Sequence, residues 1–130
     1  MSNAALDAAS PHLPRPAPIE SYGNGGFRFA DMSHRGSLLC LPAGIWAWPV
    51  TAPEEIPEET LAQVFAAAGD VSLFFIGTGR ARWRMPDALR WRFHEKAINL
   101  EIADTGRAIT TYNILLGEGR KVGAGLIAVS

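Results

Sequence analysis

Two short loops contain the residue types from which a ligand site in this sequence could be built. One loop follows the apolar run 71–76, and the other follows the alternating run 98–102. If both runs are strands of one parallel sheet, the loops meet at its carboxyl edge, where open α/β sheets bind ligands. The expected cleft residues are Gly77, Thr78, Gly79, Asp104, Thr105, Asn113 and Glu118.

Several of these residues also have a purely structural interpretation, and both interpretations stay open. Gly77-Thr78-Gly79 matches neither a G-x-G-x-x-G fingerprint nor a P-loop, so it could be a tight turn. Asp104 precedes a helical pattern, and aspartate is a common N-cap residue. Glu101 points away from the apolar face of its run. It would need an ion pair or a hydrogen bond if both faces of the sheet are covered.

The sequence contains no signature of a catalytic centre. The three histidines, His12, His34 and His94, are scattered, with no cysteine or second histidine at ligand spacing. The single Cys40 lies in an apolar run, which favours a buried thiol over a nucleophile. No serine lies in a G-x-S-x-G turn. We therefore expect no catalytic residue, no metal and no cofactor.

A basic and aromatic cluster is compatible with a contact surface or with solvated side chains, and both interpretations stay open. Arg80-Ala81-Arg82-Trp83-Arg84 is followed closely by Arg90-Trp91-Arg92. Such clusters can stack on nucleic-acid bases, but a sequence pI of about 6.3 is unlike that of most nucleic-acid-binding domains. We expect a protein partner and neither DNA nor RNA. The expected partner-surface residues are Arg84, Trp91, Arg107 and Ile114.

Composition indicates one globular domain behind a short arm. The 130 residues are 48% hydrophobic and 19% charged. Proline and small residues predict a flexible arm over 1–17, which leaves a single α/β domain over 18–130. No run reaches the roughly 20 apolar residues of a membrane span, and no signal-peptide pattern is present. These features, with a lone cysteine, favour a cytoplasmic protein that is not integral to a membrane.

The first half of the domain is predicted to be rich in strands, over 19–22, 27–29, 36–41 and 45–50. Asn24-Gly25, between the first two strands, is a strong signal for a β-hairpin. Trp46 and Trp48 share one face by the two-residue period and are expected in the core. A helix is predicted from Glu58 to Gly69 because acids open it and apolar residues recur at helical spacing.

The second half predicts the order β-α-β-α-β. Its expected elements are strand 71–76, helix 86–97, strand 98–102, helix 105–116 and strand 122–129. Leu89, Phe93 and Ala97 are expected to face the core from the first of these helices. Strands that alternate with helices indicate a largely parallel sheet with right-handed crossovers.

Four motifs, in this order, resemble those of a known family. They are Ile19-Glu20-x-Tyr22-Gly23-x-Gly25-Gly26-Phe27, Phe75-Ile76-Gly77-Thr78-Gly79, Glu101-x-x-Asp104-Thr105 and Thr111-Tyr112-Asn113-x-Leu115-x-x-Glu118-Gly119-Arg120-x-Val122. Across about residues 18–129 the chain is similar to a family of small domains without an assigned activity. That family includes the mitochondrial NADH:ubiquinone oxidoreductase complex assembly factor 3.

The resemblance implies a three-layer α/β domain with a mixed, mostly parallel central sheet. It also implies a role in respiratory-complex assembly through protein contacts, with inner-membrane or respiratory-complex subunits as partners and a location peripheral to the inner membrane. Two positions depart from the family pattern. Thr110 stands where arginine is frequent, which removes a possible partner of Glu101, and Ala103 stands where methionine is common.

Two functions are compatible with these features. The favoured one is a non-enzymatic binding or assembly module. It rests on the resemblance, on exposed Trp91 and Ile114, and on uneven charge: residues 1–70 hold eight acids and three bases, and residues 71–130 hold five acids and nine bases. The alternative is a small-molecule-binding protein or an enzyme that uses the cleft at the carboxyl ends of strands 71–76 and 98–102.

Overall fold

Eight strands and three α-helices are formed by the residues that the structure describes, 11–56 and 58–130 of a computed structural model. The strands are β1 Ser21–Gly23, β2 Gly26–Phe29, β3 Met32–Arg35, β4 Ser37–Leu41, β5 Gly44–Trp48, β6 Leu73–Gly77, β7 Asn99–Ala103 and β8 Val122–Leu126. The helices are α1 Ala62–Ala66, α2 Asp87–Glu95 and α3 Thr105–Gly117. Short 3₁₀ helices cover Pro53–Glu55, Glu58–Leu61 and Ala68–Asp70.

The larger of two sheets has five strands in the order β5-β4-β8-β6-β7. Strand β6 pairs in parallel with β7 and β8, whereas β4 pairs antiparallel with β5 and β8. The sheet is thus mixed, as expected, with as many antiparallel as parallel pairings. The prediction of a mostly parallel sheet is therefore not confirmed, because β8 joins the parallel crossovers to an antiparallel hairpin.

Alternating side chains of the larger sheet belong to two separate hydrophobic cores. Phe74 and Ile76 enter one core, together with residues of α1, α2 and the two tryptophans of β5. Phe75 enters the other, together with α3 and the smaller sheet. Because successive strand residues point to opposite faces, the two cores lie on opposite sides of the sheet. Strand β6 is thus buried on both faces from Phe74 to Gly77.

A smaller antiparallel sheet of β1, β2 and β3 is built from two tight hairpins. Asn24 and Gly25 form the first turn, and both have positive φ, as predicted for an Asn-Gly hairpin. The second turn, Ala30-Asp31, also has two residues with positive φ. Strand β3 was not predicted, because alanine is an unusual residue for such a turn. Asp31 was the one local signal for it.

Helices α1 and α2 are shorter than predicted, whereas α3 agrees with the predicted range 105–116 to within one residue. The helix expected over 58–69 is divided into α1 and two flanking 3₁₀ segments, with Leu61, Val64 and Phe65 buried. Helix α2 ends at Glu95, and Ala97 takes a φ of +58° and is exposed. The prediction that Ala97 faces the core is therefore wrong, since the chain leaves the helix before it.

The chain before β1 lies against the domain where it is described. Leu13 forms an antiparallel bridge with Ile45 on the outer edge of β5, and Ala17 is buried. Of the predicted flexible arm, residues 1–10 lie outside the described part of the chain. In the same described residues, no helix combines the length and the apolar character needed to cross a membrane.

Candidate functional site

The carboxyl ends of the parallel strands are tied together by the hydroxyl of one buried threonine. Thr105 Oγ1 accepts a hydrogen bond from the backbone N–H of Gly79 at 2.8 Å and donates one to the carbonyl of Ile127 at 2.8 Å. Its own N–H donates to the Gly79 carbonyl at 3.0 Å. A Cβ on Gly77 would lie 2.9 Å from Thr105 Cα, so only glycine permits this approach.

Thr78 is also engaged within the protein. Its side-chain hydroxyl donates to the carbonyl of Ala81 at 2.6 Å, and its backbone N–H donates to the carbonyl of Ala103 at 2.9 Å. The residue is only 3% exposed. The loop 77–79 is therefore a hydrogen-bonded turn that forms the floor of a cleft.

Asp104 acts as the N-cap of α3, which was one of its two predicted interpretations. Its carboxylate accepts a hydrogen bond from the N–H of Arg107 at 2.9 Å. Arg107 Nε lies 4.0 Å from the other carboxylate oxygen. The cap satisfies one of the unpaired donors of the helix and opposes its dipole.

A cleft of about 810 Å³ lies at the expected place, beyond the ends of β6 and β7. We call it the arginine cleft, because its wall is formed largely by the segment 80–84 and by the start of α3. It is lined by Thr78, Arg80, Ala81, Arg82, Trp83, Arg84, Ile102, Ala103, Asp104 and Arg107. Four arginines thus face a single carboxylate, and that carboxylate already caps a helix.

The arginines of the cleft are weakly neutralised. Arg84 forms an exposed ion pair with Asp87 at 3.2 Å, and such surface pairs contribute little stability. Arg80 donates to the carbonyl of Ser130 at 3.2 Å, and Arg82 has no ion-pair partner among residues 11–56 and 58–130. The side chains of Arg84 and Arg107 are 82% and 84% exposed. The cleft therefore presents several solvated cationic groups with donors available to an anionic ligand.

Two of the predicted cleft residues lie elsewhere. Asn113 Oδ1 accepts from the N–H of Ile19 at 2.9 Å, and Asn113 Nδ2 donates to the Ile19 carbonyl at 2.9 Å. The asparagine thus fastens the segment before β1 to α3. Glu118 is the C-cap residue of α3, at the opposite end of that helix from Asp104.

The predicted partner-surface residues do not form one surface. Arg84 and Arg107 both line the arginine cleft. Trp91, 57% exposed, lies on α2 and stacks on His94 with ring centroids 4.9 Å apart. Ile114, 56% exposed, lies on α3, which packs against the other face of the sheet. The aromatic and basic residues of 80–91 therefore lie apart from Ile114.

Two contributions to the site were not predicted. Arg80 and Arg82 were recognised as part of a basic cluster but were not assigned to the cleft. Their position directly after the loop 77–79 was the available signal. The Tyr22 hydroxyl contacts Gly106 at the start of α3, so a Cβ at position 106 would clash with it. Tyr22 lines a neighbouring concavity with Asp104 and Arg107 and not the arginine cleft itself.

Two titratable side chains outside the cleft, Cys40 and Tyr112, are buried in the core. Burial raises the pKa of the Cys40 thiol to about 12, and the thiol is therefore inert. Burial also raises the pKa of Tyr112, and the neighbouring Cys40 side chain raises it further. Glu101 is exposed on the edge strand β7, so the condition under which it would need a partner is not met. Within the described ranges, no three His, Cys, Asp or Glu side chains are gathered in a metal-binding group.

Comparison with known proteins identifies the family. A family model described as a protein of unknown function, DUF498/DUF598, matches residues 19–127. The chain belongs to this family. The match covers nearly the whole described domain, including β1, the loop 77–79 and α3. The resemblance recognised in the four sequence motifs is thereby confirmed.

Relatives of two kinds share this domain. An uncharacterized protein of Rhodobacter capsulatus is 36% identical over 110 residues, which is 85% of this chain and 83% of the relative. The mouse NADH dehydrogenase [ubiquinone] 1 alpha subcomplex assembly factor 3 is 29% identical over 115 residues, which is 88% of this chain. The present chain spans 62% of the length of that mouse protein.

A solved structure supports the mixed α/β fold. The crystal structure of a protein described as an outer membrane protein from Bartonella henselae superposes with a TM-score of 0.88 at 45% identity. The match covers 92% of this chain and all of the other. A mixed α/β domain with two sheets and three helices is therefore common to both.

Proposed function

We propose that this protein is a non-catalytic binding module that receives an acidic segment of a partner protein in the arginine cleft. The observation that carries the proposal is the meeting of four arginines with one helix-capping aspartate in a cleft of about 810 Å³. Such a cleft attracts carboxylates both at long range and through bidentate hydrogen bonds.

The chemistry of the lining favours binding over catalysis. The Thr78 hydroxyl donates within its own loop, and Asp104 is occupied as a cap. The remaining polar residues of the lining are arginines, which stay protonated and cannot act as a general base at neutral pH. A nucleophile paired with a base is thus absent from the described lining residues.

The family relationship supports a role in the assembly of a respiratory complex. Several relatives of this chain are named as assembly factors of NADH dehydrogenase. In this proposal the partner is a respiratory-complex or inner-membrane subunit, and the protein acts in the cytoplasm or at the surface of the inner membrane.

A charge-reversal comparison in a native membrane extract tests the proposal. The variant Arg80→Glu with Arg82→Glu changes two exposed side chains of the cleft, and Arg120→Glu with Lys121→Glu makes the same charge change beyond the far end of α3. We expect the wild type and the far-end variant to recover a respiratory subunit and the cleft variant to lose it. Equal recovery by both variants, or no recovery by the wild type, would contradict the proposal.

A small anionic ligand is the second candidate for the same cleft. The volume of about 810 Å³ lies within the range of small-molecule sites. Against this, two of the four arginines are more than four-fifths exposed, so a small ligand would keep much of its surface in water. A thermal shift with phosphate or dicarboxylates that vanishes in the Arg80→Glu, Arg82→Glu variant would favour this candidate over the protein partner.

A further inference from the structure

We propose that the partner segment binds as an additional strand along the outer edge of β7, with its acidic residues in the arginine cleft. The inference rests on the proposed function and specifies how the backbone of the partner is held. In this mode main-chain hydrogen bonds supply affinity and the flanking side chains supply specificity.

The hydrogen bonding of β7 leaves one edge open. The Asn99 N–H donates to the Ser72 carbonyl at 3.0 Å, and the Ala103 carbonyl accepts from Thr78 at 2.9 Å. With the parallel register of β6 and β7, residues 99, 101 and 103 therefore direct their backbone groups to β6. The backbone N–H and C=O groups of Leu100 and Ile102 point outward. They pair with no other backbone or side-chain group of the described chain.

At the opposite edge of the same sheet, an extended segment pairs with the outer side of β5 through backbone hydrogen bonds, which is the kind of contact proposed for β7. The Ile45 N–H of β5 donates to the Leu13 carbonyl at 2.9 Å, and the Ile45 carbonyl accepts from His12 at 2.9 Å. An extended segment of the chain itself thus lies along β5. Strand β7 has no such cover among the described residues, and unpaired edges of this kind are templates for another strand.

The surroundings of β7 suit a segment with an apolar part and an acidic end. Ile102 and Ala103 line the arginine cleft at the carboxyl end of the strand. Asn99 and Leu100, at the other end, line a second concavity of about 390 Å³ beside Trp91. A segment along β7 would therefore contact the exposed indole with its apolar residues and reach the arginines with its carboxylates.

The charge of β7 itself disfavours pairing with a second copy of this chain. Glu101 lies at the centre of the strand and is exposed. In an antiparallel pair of two β7 strands in full overlap, the two Glu101 side chains would lie directly opposite each other, and like charges in that position are destabilising. For the same reason, the partner residue beside Glu101 is neutral, and the acidic residues follow beyond Ala103.

Two blocked synthetic peptides provide the probe. One has the sequence Thr-Val-Thr-Val-Thr-Glu-Asp-Glu, and the other has the reverse order, so that both strand directions are sampled. Binding to the whole protein is measured by calorimetry, and amide hydrogen exchange is measured by NMR. We expect one peptide to bind and to slow exchange at Leu100 and Ile102, while exchange at Glu101, already paired with β6, changes little.

A proline substitution isolates the backbone contribution. Leu100→Pro removes an outward N–H without removing a bond to β6, and proline is tolerated on edge strands. Leu100→Ala is its matched control, because it loses the same side chain and keeps the N–H. We expect Leu100→Pro to bind the peptide about tenfold more weakly than Leu100→Ala, because the N–H is lost and the ring obstructs the added strand.

The outcomes separate this inference from the proposed function. Peptide binding that falls in the Arg80→Glu, Arg82→Glu variant, with no protection of Leu100 and Ile102 and equal affinity of both Leu100 variants, overturns strand addition and leaves the proposed function standing. Peptide binding that is unchanged in the Arg80→Glu, Arg82→Glu variant overturns both strand addition and the proposed function. Absence of binding by either peptide does the same. Protection of the two amides without peptide that rises with protein concentration would assign the edge to a second copy and overturn the inference.

Discussion

Thr105 illustrates how a polar residue at the carboxyl edge of the sheet is used for construction rather than for ligand contact. Its hydroxyl satisfies the N–H of Gly79 and the carbonyl of Ile127, and the residue has no exposed surface. Each hydrogen bond crosses between elements that are distant in sequence. The floor of the arginine cleft is therefore held in place by a group that no ligand can reach.

Replacing Thr105 by valine should destabilise the protein by about 2 kcal/mol or more, because two buried backbone groups lose their partner. The free energy of unfolding in urea measures the effect. Thr105→Ser keeps the hydroxyl and should recover most of the loss. Thr110→Val is a surface control, since the Thr110 hydroxyl is exposed and donates to the carbonyl of Gly106 within its own helix. A Thr105→Val protein as stable as this control would contradict the assignment.

The sequence predicted single-residue roles well where the role depends on local neighbours. Asp104 as an N-cap follows from the helical pattern that begins at the next residue. Thr78, Thr105 and Asn113 were assigned to a ligand, yet each is bonded to protein groups. The backbone groups to which these three side chains bond belong mostly to other segments of the chain. A pattern along the chain cannot reveal which backbone groups a fold brings opposite such side chains.

At the scale of elements, strand β8 is tightly enclosed by its neighbours. A Cβ on Gly125 would lie 2.7 Å from the indole ring of Trp48, whereas a Cβ on Gly117, at the end of α3, would meet nothing within 4 Å. The two glycines therefore have different reasons to be present. The first makes room for a buried aromatic ring, and the second ends a helix in open solvent.

Alanine at these two glycines should change stability in opposite directions. Gly125→Ala should cost about 1–3 kcal/mol, because the core around Trp48 would be overpacked. Gly117→Ala should be neutral or stabilising by up to about 1 kcal/mol, since alanine restricts the unfolded chain and fits a helix. Denaturant unfolding of both variants measures the difference. A stable Gly125→Ala protein would show that the ring of Trp48 can move aside.

The small sheet and the preceding segment contain a group that is sensitive to pH. Burial lowers the pKa of His34 below its ordinary 6.5, and its hydrogen bond to the Ser37 carbonyl only partly opposes this. The ring of His12 lies 4.8 Å away and also disfavours the charged form. The folded protein thus favours neutral His34.

Acid should therefore lower the free energy of unfolding through protonation of His34. As the pH falls through 6.5, the unfolded chain binds a proton that the folded chain binds less readily, so the free energy of unfolding decreases. The melting temperature at pH 7.5 and pH 5.5 measures this loss. His34→Gln should reduce the difference between the two values. An unchanged difference in that variant would assign the pH dependence to other groups.

The order of elements was predictable, whereas their pairing was not. Alternating runs and turn residues located seven of the eight strands and the three helices, because these signals are local. Strand β3 was missed because Ala30 and Asp31 form a turn without glycine. The pairing of β4 with β8 joins segments that are far apart in sequence. Such a pairing has no effect on the spacing of apolar residues along the sequence. The numbers of parallel and antiparallel pairs therefore could not be derived from that spacing.

At the scale of the whole molecule, the two cores are closed to reagents. Cys40 lies on β4, between β5 and β8, is fully buried and has a pKa raised by burial to about 12. The thiolate that would react is therefore scarce at neutral pH and cannot be reached without opening the sheet. The single cysteine thus reports on opening of the domain.

Modification of Cys40 should follow unfolding. With a disulfide reagent at pH 8, we expect very slow labelling of the native protein and rapid labelling in urea, with a rate that rises as the unfolded population rises. The protein in strong denaturant is the positive control. Complete labelling of the native protein within minutes, without loss of structure, would show that β4 is less protected than its burial indicates.

The position of β8 has a consequence for how the chain acquires its structure during synthesis. This strand is the last of the eight to leave the ribosome, yet it lies between β4 and β6. Until it emerges, the β4–β5 hairpin and the β6–β7 crossover have no strand to join them, and their apolar edges stay open. The larger sheet therefore cannot be completed until its final strand is available.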